Sequence, residues 1–185
     1  MQDPHFFGYG SLVNRATHGY APARPARLRG WRRMWRHTDL HSAPFLTAVP
    51  DPRSEIDGLV APVPGGDWQA LDAREFGYDR HDVTHLVSPA PGMVQVYAVP
   101  EHRSAPPTVR LPIVLSYVDV VVQGYLREFG PEGARAFFAT TDGWDGPLRD
   151  DRDAPLYPRH QRLDPAETAF VDAQLAALGV VPFRA

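Results

Sequence analysis

Apolar residues in the first half of the chain fall into short, alternating runs, and in the second half they step by three and four. The first run, Phe6-Phe7-Gly8-Tyr9-Gly10-Ser11-Leu12, predicts a short buried strand that ends in two glycines and a serine. Val13 to Pro25 carries little pattern and reads as a loop. Arg27 to Thr38 alternates, which puts Trp31, Arg33 and Trp35 on one strand face and Leu28, Arg32, Met34 and Arg36 on the other. Phe45 to Val49 and Ile56 to Val63 predict two more strands, with Pro50-Asp51-Pro52 as the turn between them. Gly65-Gly66-Asp67 opens a short helix capped by Asp67; it carries Trp68, Leu71, Asp72, Arg74 and Glu75 and stops at Gly77. Tyr78 to Val87 and Met93 to Val99 are the next strands.

Pro106-Pro107 and Pro112 mark a loop. Leu115, Val118, Val122, Tyr125 and Phe129 then recur as on one helix face, against the strand preference of Val120-Val121-Val122. Pro131 suits the first position of a further helix through Ala139. Thr140 to Arg162 is a long Asp-, Arg-, Gly- and Pro-rich loop, and loops of that length are either functional or poorly ordered. In the last helix Asp164 caps, Pro165 starts, Glu167 completes a capping box and Gly179 ends the run. No repeat and no composition break divides the 185 residues, so 1–185 reads as a single domain.

Composition removes several chemistries. The chain has no cysteine, which excludes disulfides, thiol nucleophiles and cysteine-based zinc sites. It has no lysine either, and with that go Schiff-base chemistry and the phosphate-loop lysine. Sparse isoleucine with abundant Ala, Pro and Arg fits a GC-rich bacterial genome. A formal net charge of −3 argues against a general nucleic-acid binder, although the Trp/Arg alternation of the second strand is a pattern that stacks bases elsewhere. Salt bridges from those arginines to the many aspartates, with one arginine left to face a substrate carboxylate, are the competing expectation. No apolar run is long enough to cross a bilayer and no signal peptide is visible, so the expected location is cytoplasmic, away from membranes.

Candidate chemistry concentrates at the glycine turn. Glycine permits turn angles other residues resist and lets backbone N–H groups approach a ligand. A dinucleotide fingerprint or a nucleophile elbow would need glycine at position 13, which is Val13. A plain tight turn remains the alternative. His81 and His85 share a strand face, but no glutamate lies between them and no third ligand stands near, which argues against a metal site.

Gly8-Tyr9-Gly10-Ser11-Leu12, followed by Leu71-Asp72-Ala73-Arg74-Glu75-Phe76-Gly77-Tyr78 and by Ser116-Tyr117 with Gly124 seven residues on, resembles the γ-glutamylcyclotransferase superfamily. The resemblance spans Phe6 to about Gly124. It implies an α+β fold, a small mixed β-barrel flanked by helices, acting without metal or cofactor on a small γ-glutamyl substrate. In such a substrate the α-amine attacks its own γ-carbonyl, releasing 5-oxoproline and an amine or amino acid. By the same resemblance Glu75 is the catalytic acid and base. Gly8, Tyr9, Gly10, Ser11 and Leu12 form the substrate loop, and Tyr117 lines the pocket. The glutathione-specific branch would have a tryptophan after the loop, where this chain has Val13-Asn14-Arg15, so the leaving group stays open: an amino acid, Cys-Gly or an amine.

Intramolecular attack needs no serine nucleophile, only a ring-closing conformer and a proton carrier. A glutamate near pKa ~4.3 must deprotonate an amine near ~8, a gap of about 5 kcal/mol that burial would narrow. Phe76, Tyr78 and Trp68 are candidates for that burial; otherwise Glu75 would be a surface ion pair with Arg74 or Arg80. Rival readings are a non-catalytic small-carboxylate-binding module on the same fold, a metal hydrolase using His81 and His85, and an RNA-binding strand.

Overall fold

The structure, a computed structural model, describes residues 3–38, 40, 43–105 and 110–184. The Pro106-Pro107 loop lies outside the described residues. The strands are β1 (His5–Gly8), β2 (Arg24–Arg36), β3 (Phe45–Pro62), β4 (Asp79–Asp82), β5 (Val87–Ser88), β6 (Val94–Ala98), β7 (Ile113–Val114), β8 (Thr141–Asp142) and β9 (Leu148–Arg149). The helices are α1 (Gln69–Arg74), α2 (Leu115–Ala139) and α3 (Pro165–Ala177).

β1 lies at the centre of a seven-stranded mixed sheet in the order β4-β6-β1-β3-β2-β5, with β8 added on β2. It runs parallel to β6 and antiparallel to β3. All four β1 residues are buried, as expected of a strand covered on both faces. The sheet curls into a half-barrel flanked by helices, the α+β architecture expected from the sequence.

Two details depart from the periodicity. Pro50-Asp51-Pro52 does not reverse the chain: β3 runs on through it, and residues 51–54 loop out opposite Gly30 as a bulge. The register shift between Arg29 and Trp31 flips the side-chain alternation of β2. Leu28 therefore shares the buried face with Trp31, Arg33 and Trp35 rather than lying opposite them. The predicted strand from Tyr78 to Val87 is two short ones, β4 and β5, with a turn between.

α2 is helical in spite of its valines, because Val118, Val120, Val121 and Val122 are all fully buried and tertiary packing outweighs propensity. Gly130 and Pro131 interrupt it where a second helix was expected to start. α3 has its predicted capping box, with Asp164 Oδ1 accepting from Glu167 N at 2.7 Å and Glu167 Oε2 from Asp164 N at 3.0 Å. Among the described residues no helix is long and apolar enough to cross a membrane.

Candidate active site

The site lies where β1 ends. After Gly8 the chain leaves the sheet through Tyr9-Gly10 and tightens into a 3-10 turn at Ser11–Val13. Tyr9 is pinned from both ends. Its hydroxyl donates to Tyr97 O at 2.6 Å and accepts from Ala48 N at 3.1 Å, tying β1 to β6 and β3. Its carbonyl accepts from Arg33 Nε at 3.2 Å and from the Tyr125 hydroxyl at 3.0 Å. Arg33 is almost fully buried, and its further acceptors, Asp57 O, Thr140 Oγ1 and the Tyr125 hydroxyl, are all neutral. It braces the turn from behind. Neither it nor any other β2 arginine lines the cavity at Glu75; Arg27 and Arg32 pair with Asp57, Glu55 and Asp142.

Gly10 and Gly124 are needed for close approach rather than for positive φ; Gly10 itself has φ −116°. A Cβ on Gly10 would stand 2.7 Å from the Tyr117 hydroxyl, and one on Gly124 would stand 2.7 Å from Asn14 N. Tyr117 and Gly124 are two turns apart on α2, so one face of the helix presents both to the glycine turn. Asn14 completes the seam by donating to Val120 O and Gln123 Oε1, each at 2.9 Å.

α1 supplies the carboxylate. Leu71 is fully buried and anchors the helix; Glu75, one turn later, is the C-terminal cap on the same face. Asp72 accepts from the Tyr97 hydroxyl at 2.6 Å and pairs with Arg80 at 3.1 Å, fastening the helix to β6 and β4. Arg74 turns back over the glycine turn. It donates to Thr17 O at 2.7 Å, Thr17 Oγ1 at 3.0 Å and Ser11 Oγ at 3.2 Å, and from Nε to Glu75 Oε1 at 3.1 Å. The expected helix cap falls one residue late, at Trp68, while Asp67 Oδ1 still accepts from Gln69 N.

These elements enclose an inner recess of about 30 Å³, room for little more than one water molecule. Gly8, Tyr9, Gly10, Ser11, Leu12, Glu75 and Tyr117 all line it, so the residues to which the resemblance gave a catalytic or binding role meet at one point. The recess opens into an outer chamber of about 770 Å³, and Ser11, Leu46, Glu75, Tyr78 and Tyr117 border both.

Burial raises the Glu75 carboxyl above its ordinary pKa, against the opposing pull of Arg74 and Arg159. The side chain is 16% exposed, open to the chamber but largely out of water. Phe76 and Trp68 do not supply that burial. Phe76 is largely exposed, and Trp68 packs on Tyr97 and under the Arg80 guanidinium. Tyr78, the third expected neighbour, lines the recess with Glu75, and Tyr117 joins it. Tyr78, whose hydroxyl donates to Leu46 O at 2.9 Å, and Tyr117 have their hydroxyls pushed well above the ordinary tyrosine range, chiefly by burial. Both are neutral hydrogen-bonding groups at any working pH.

The 140–162 segment, a loop by its sequence pattern, carries β8 and β9 and builds one chamber wall. Asp151 accepts from Ser116 N at 2.8 Å, Ser116 Oγ at 2.5 Å and Leu156 N at 2.8 Å, capping α2 where it has no local cap. Tyr157 is thereby set edge-on to Tyr117, ring centroids 4.9 Å apart. Tyr157, Arg149 and Arg159 were not singled out in the sequence; a low-pattern segment gives no period from which to read them.

Ser11 Oγ has Arg74 as its partner and no histidine hydrogen-bonded to it among the described residues, which leaves it unactivated as a nucleophile. His81 lies on β4 near Trp31, while His85 lies beyond the strand's end; the described residues hold no cluster of three metal-ligating side chains.

A family model for gamma-glutamyl cyclotransferase, AIG2-like, matches residues 6–113. No curated protein matches the sequence. Among solved structures, one described as gamma-glutamyl cyclotransferase aligns with a TM-score of 0.59 at 17% identity, over 93% of this chain and 99% of its own. The human protein loc79017 aligns with a TM-score of 0.60 at 18% identity over the same shares. YkqA from Bacillus subtilis gives 0.56 at 17% identity, over 77% of this chain and 57% of its own. At such identities these likenesses are of fold. The family model is more direct, since it covers more than half of the chain and includes β1, the glycine turn, α1 and Glu75: the chain belongs to the AIG2-like gamma-glutamyl cyclotransferase family.

Proposed function

We propose that the protein cyclises a γ-glutamyl amide to 5-oxoproline, with Glu75 as the proton carrier. One observation carries the reading: a largely buried carboxylate with a raised pKa, the single one lining these cavities among the described residues, stands at the border between a recess of oxygen-atom size and a chamber large enough for a leaving group.

The glutamyl head occupies the mouth of the recess and its leaving group extends into the chamber. Glu75 takes a proton from the α-ammonium, and the freed amine attacks the γ-carbonyl. A new C–N bond closes the five-membered ring while the carbonyl oxygen becomes anionic. That oxygen lies at the glycine turn, where the Gly10 and Leu12 N–H groups have no partner among the described residues. The tetrahedral species collapses by breaking the original C–N bond, and Glu75 returns its proton to the departing nitrogen. The protons the attacking nitrogen loses are those the leaving nitrogen gains, so nothing is oxidised and no second substrate is consumed.

Burial matters because it narrows the proton-transfer gap of about 5 kcal/mol between an ordinary glutamate and an α-amine. Tyr117 and Tyr78 act as neutral hydrogen-bond partners that hold the ring-closing conformer. Incubating the purified protein with γ-glutamyl amino acids, glutathione and γ-glutamylamines, with mass spectrometry for 5-oxoproline, tests the reading. Formation of 5-oxoproline from at least one of them is the expected result. Binding without turnover across the panel would leave the chain a small-carboxylate-binding module.

A further inference from the structure

The chamber's charge runs against that of the chain. The whole protein carries −3, yet among the described residues the charged groups lining the chamber are three arginines, Arg74, Arg149 and Arg159, against one carboxylate, Glu75. Arg74 is committed to Glu75, Ser11 and Thr17. Arg149, on β9, and Arg159, in the segment beyond it, form no side-chain hydrogen bond or ion pair among the described residues. Arg15, Arg27, Arg32, Arg80, Arg127 and Arg152 each pair with a carboxylate of the chain; these two line a cavity without such a partner.

Position separates the two free cations from the chemistry. Neither lines the inner recess; both line the outer chamber, in which the rest of the wall includes Trp35, Phe45, Val114 and Leu156. Arg159 is still close enough for its charge to be felt at Glu75. A guanidinium on a partly apolar wall has five donors and less competing water than one on an open surface, which favours a planar anion such as a carboxylate. Two such groups, supplied by separate stretches of chain, match two carboxylates on one leaving group.

We infer that the outer chamber selects an acidic leaving group, an amino acid or γ-linked peptide bearing a second carboxylate beside its own terminal one, as in γ-glutamylglutamate. The inference rests on the cyclotransferase reading for the placement of the leaving group, and Arg149 and Arg159 are its specificity-determining residues. A leaving amine with no carboxylate would leave both cations unmatched, and a basic one would add repulsion.

The test compares γ-glutamylglutamate with γ-glutamylglutamine, equal in size but one carboxylate poorer, and with γ-glutamylbutylamine, which has none. Turnover is read as 5-oxoproline, and binding separately by calorimetry on wild type. The expected result is a roughly tenfold or larger preference in kcat/KM for the glutamate over the glutamine compound, the scale of one charged hydrogen-bonded contact, seen mainly in KM. Arg149→Gln and Arg159→Gln should each shrink that ratio, and so should added salt. Equal kcat/KM for the two dipeptides would overturn the inference while leaving the cyclotransferase reading in place. Tighter binding of γ-glutamylglutamate with no 5-oxoproline from any compound would support the acidic pocket and remove the activity. Equal or undetectable binding of both dipeptides in the absence of turnover would overturn both.

Discussion

Arg74 and Glu75 are neighbours in sequence and partners in space: the Arg74 Nε donates to Glu75 Oε1 at 3.1 Å, with the two side chains only 9% and 16% exposed. The pair faces the cavity rather than the solvent. Because Arg74 also grips Ser11 and Thr17, one guanidinium sets the distance between the glycine turn and the carboxylate. It also opposes the effect of burial, holding the Glu75 pKa below where desolvation alone would put it.

Arg74→Met should therefore move the acid limb of the pH–rate profile upward, since the carboxylate loses its stabilising cation and protonates at higher pH. It should also lower stability by about 1–3 kcal/mol, the cost of leaving buried acceptors such as Thr17 O without a donor. A pH profile of kcat on one verified substrate, beside a denaturant melt, reads both effects. An acid limb that stays in place would show that Arg74 does not tune Glu75.

Gly10→Val should abolish activity with modest effect on folding. The added Cβ would stand 2.7 Å from the Tyr117 hydroxyl and 3.4 Å from Leu46, two residues that border the recess. Gly10→Ala makes the same first contact with less bulk and should retain part of the activity. Circular dichroism establishes the fold and 5-oxoproline release gives the rate; a folded Gly10→Val with wild-type kcat/KM would place substrate elsewhere.

How much of this was legible in the sequence differs by element. The glycine turn, the Leu-Asp-x-Arg-Glu segment and Tyr117 could be read through the family resemblance, and they line one recess; in each case the spacing is local, Leu71 and Glu75 one helical turn apart and Tyr117 and Gly124 two. The spacing of the α3 capping box is local too. What failed depends on tertiary context. The bulge at Gly30 reversed the face of Leu28, and no period within β2 announces where a partner strand will insert residues. Of the three expected neighbours of Glu75 only Tyr78 lines the recess with it, joined by Tyr117, while Phe76 is largely exposed and Trp68 packs on Tyr97, which follows from how α1 docks. The wall formed by Tyr157 and Arg159 depends on one long-range anchor, Asp151, which in sequence is another aspartate in an acidic loop.

That anchor gives the third prediction. Asp151→Asn retains the size of the side chain but loses the charge that caps α2 and half of its accepting capacity, on which Ser116 and Leu156 depend. The expected cost is about 1–3 kcal/mol in stability. Its functional effect should be an increase in KM larger than any fall in kcat, because the displaced Tyr157 wall faces the leaving group rather than the reacting atoms. Urea unfolding and steady-state kinetics on the same preparation check it. A destabilised variant with unaltered KM would mean that the wall does not touch substrate.

The fourth prediction concerns Glu75 itself. Glutamine keeps its shape and can still accept from Arg74 Nε, but it cannot take up and return a proton at neutral pH. Glu75→Gln should lose roughly two to four orders of magnitude in kcat, the usual contribution of general acid–base catalysis, with a much smaller change in substrate affinity. The sign of its effect on stability follows from the raised pKa. A carboxyl whose pKa is higher in the folded than in the unfolded chain favours folding fully below the unfolded value, and that contribution is lost as pH rises through the folded one. Burial disfavours the charged carboxylate, so at pH values where Glu75 is ionised the neutral amide should leave stability unchanged or slightly higher, and the difference should narrow on acidification. Wild-type activity should fall on the acid side with a single ionisation, above the ordinary glutamate range, because only the carboxylate can accept the α-ammonium proton. Glu75→Gln melts measured at neutral and acidic pH, with 5-oxoproline release beside wild type, separate the two roles: a folded, equally stable variant with comparable kcat would show that the proton travels by another group.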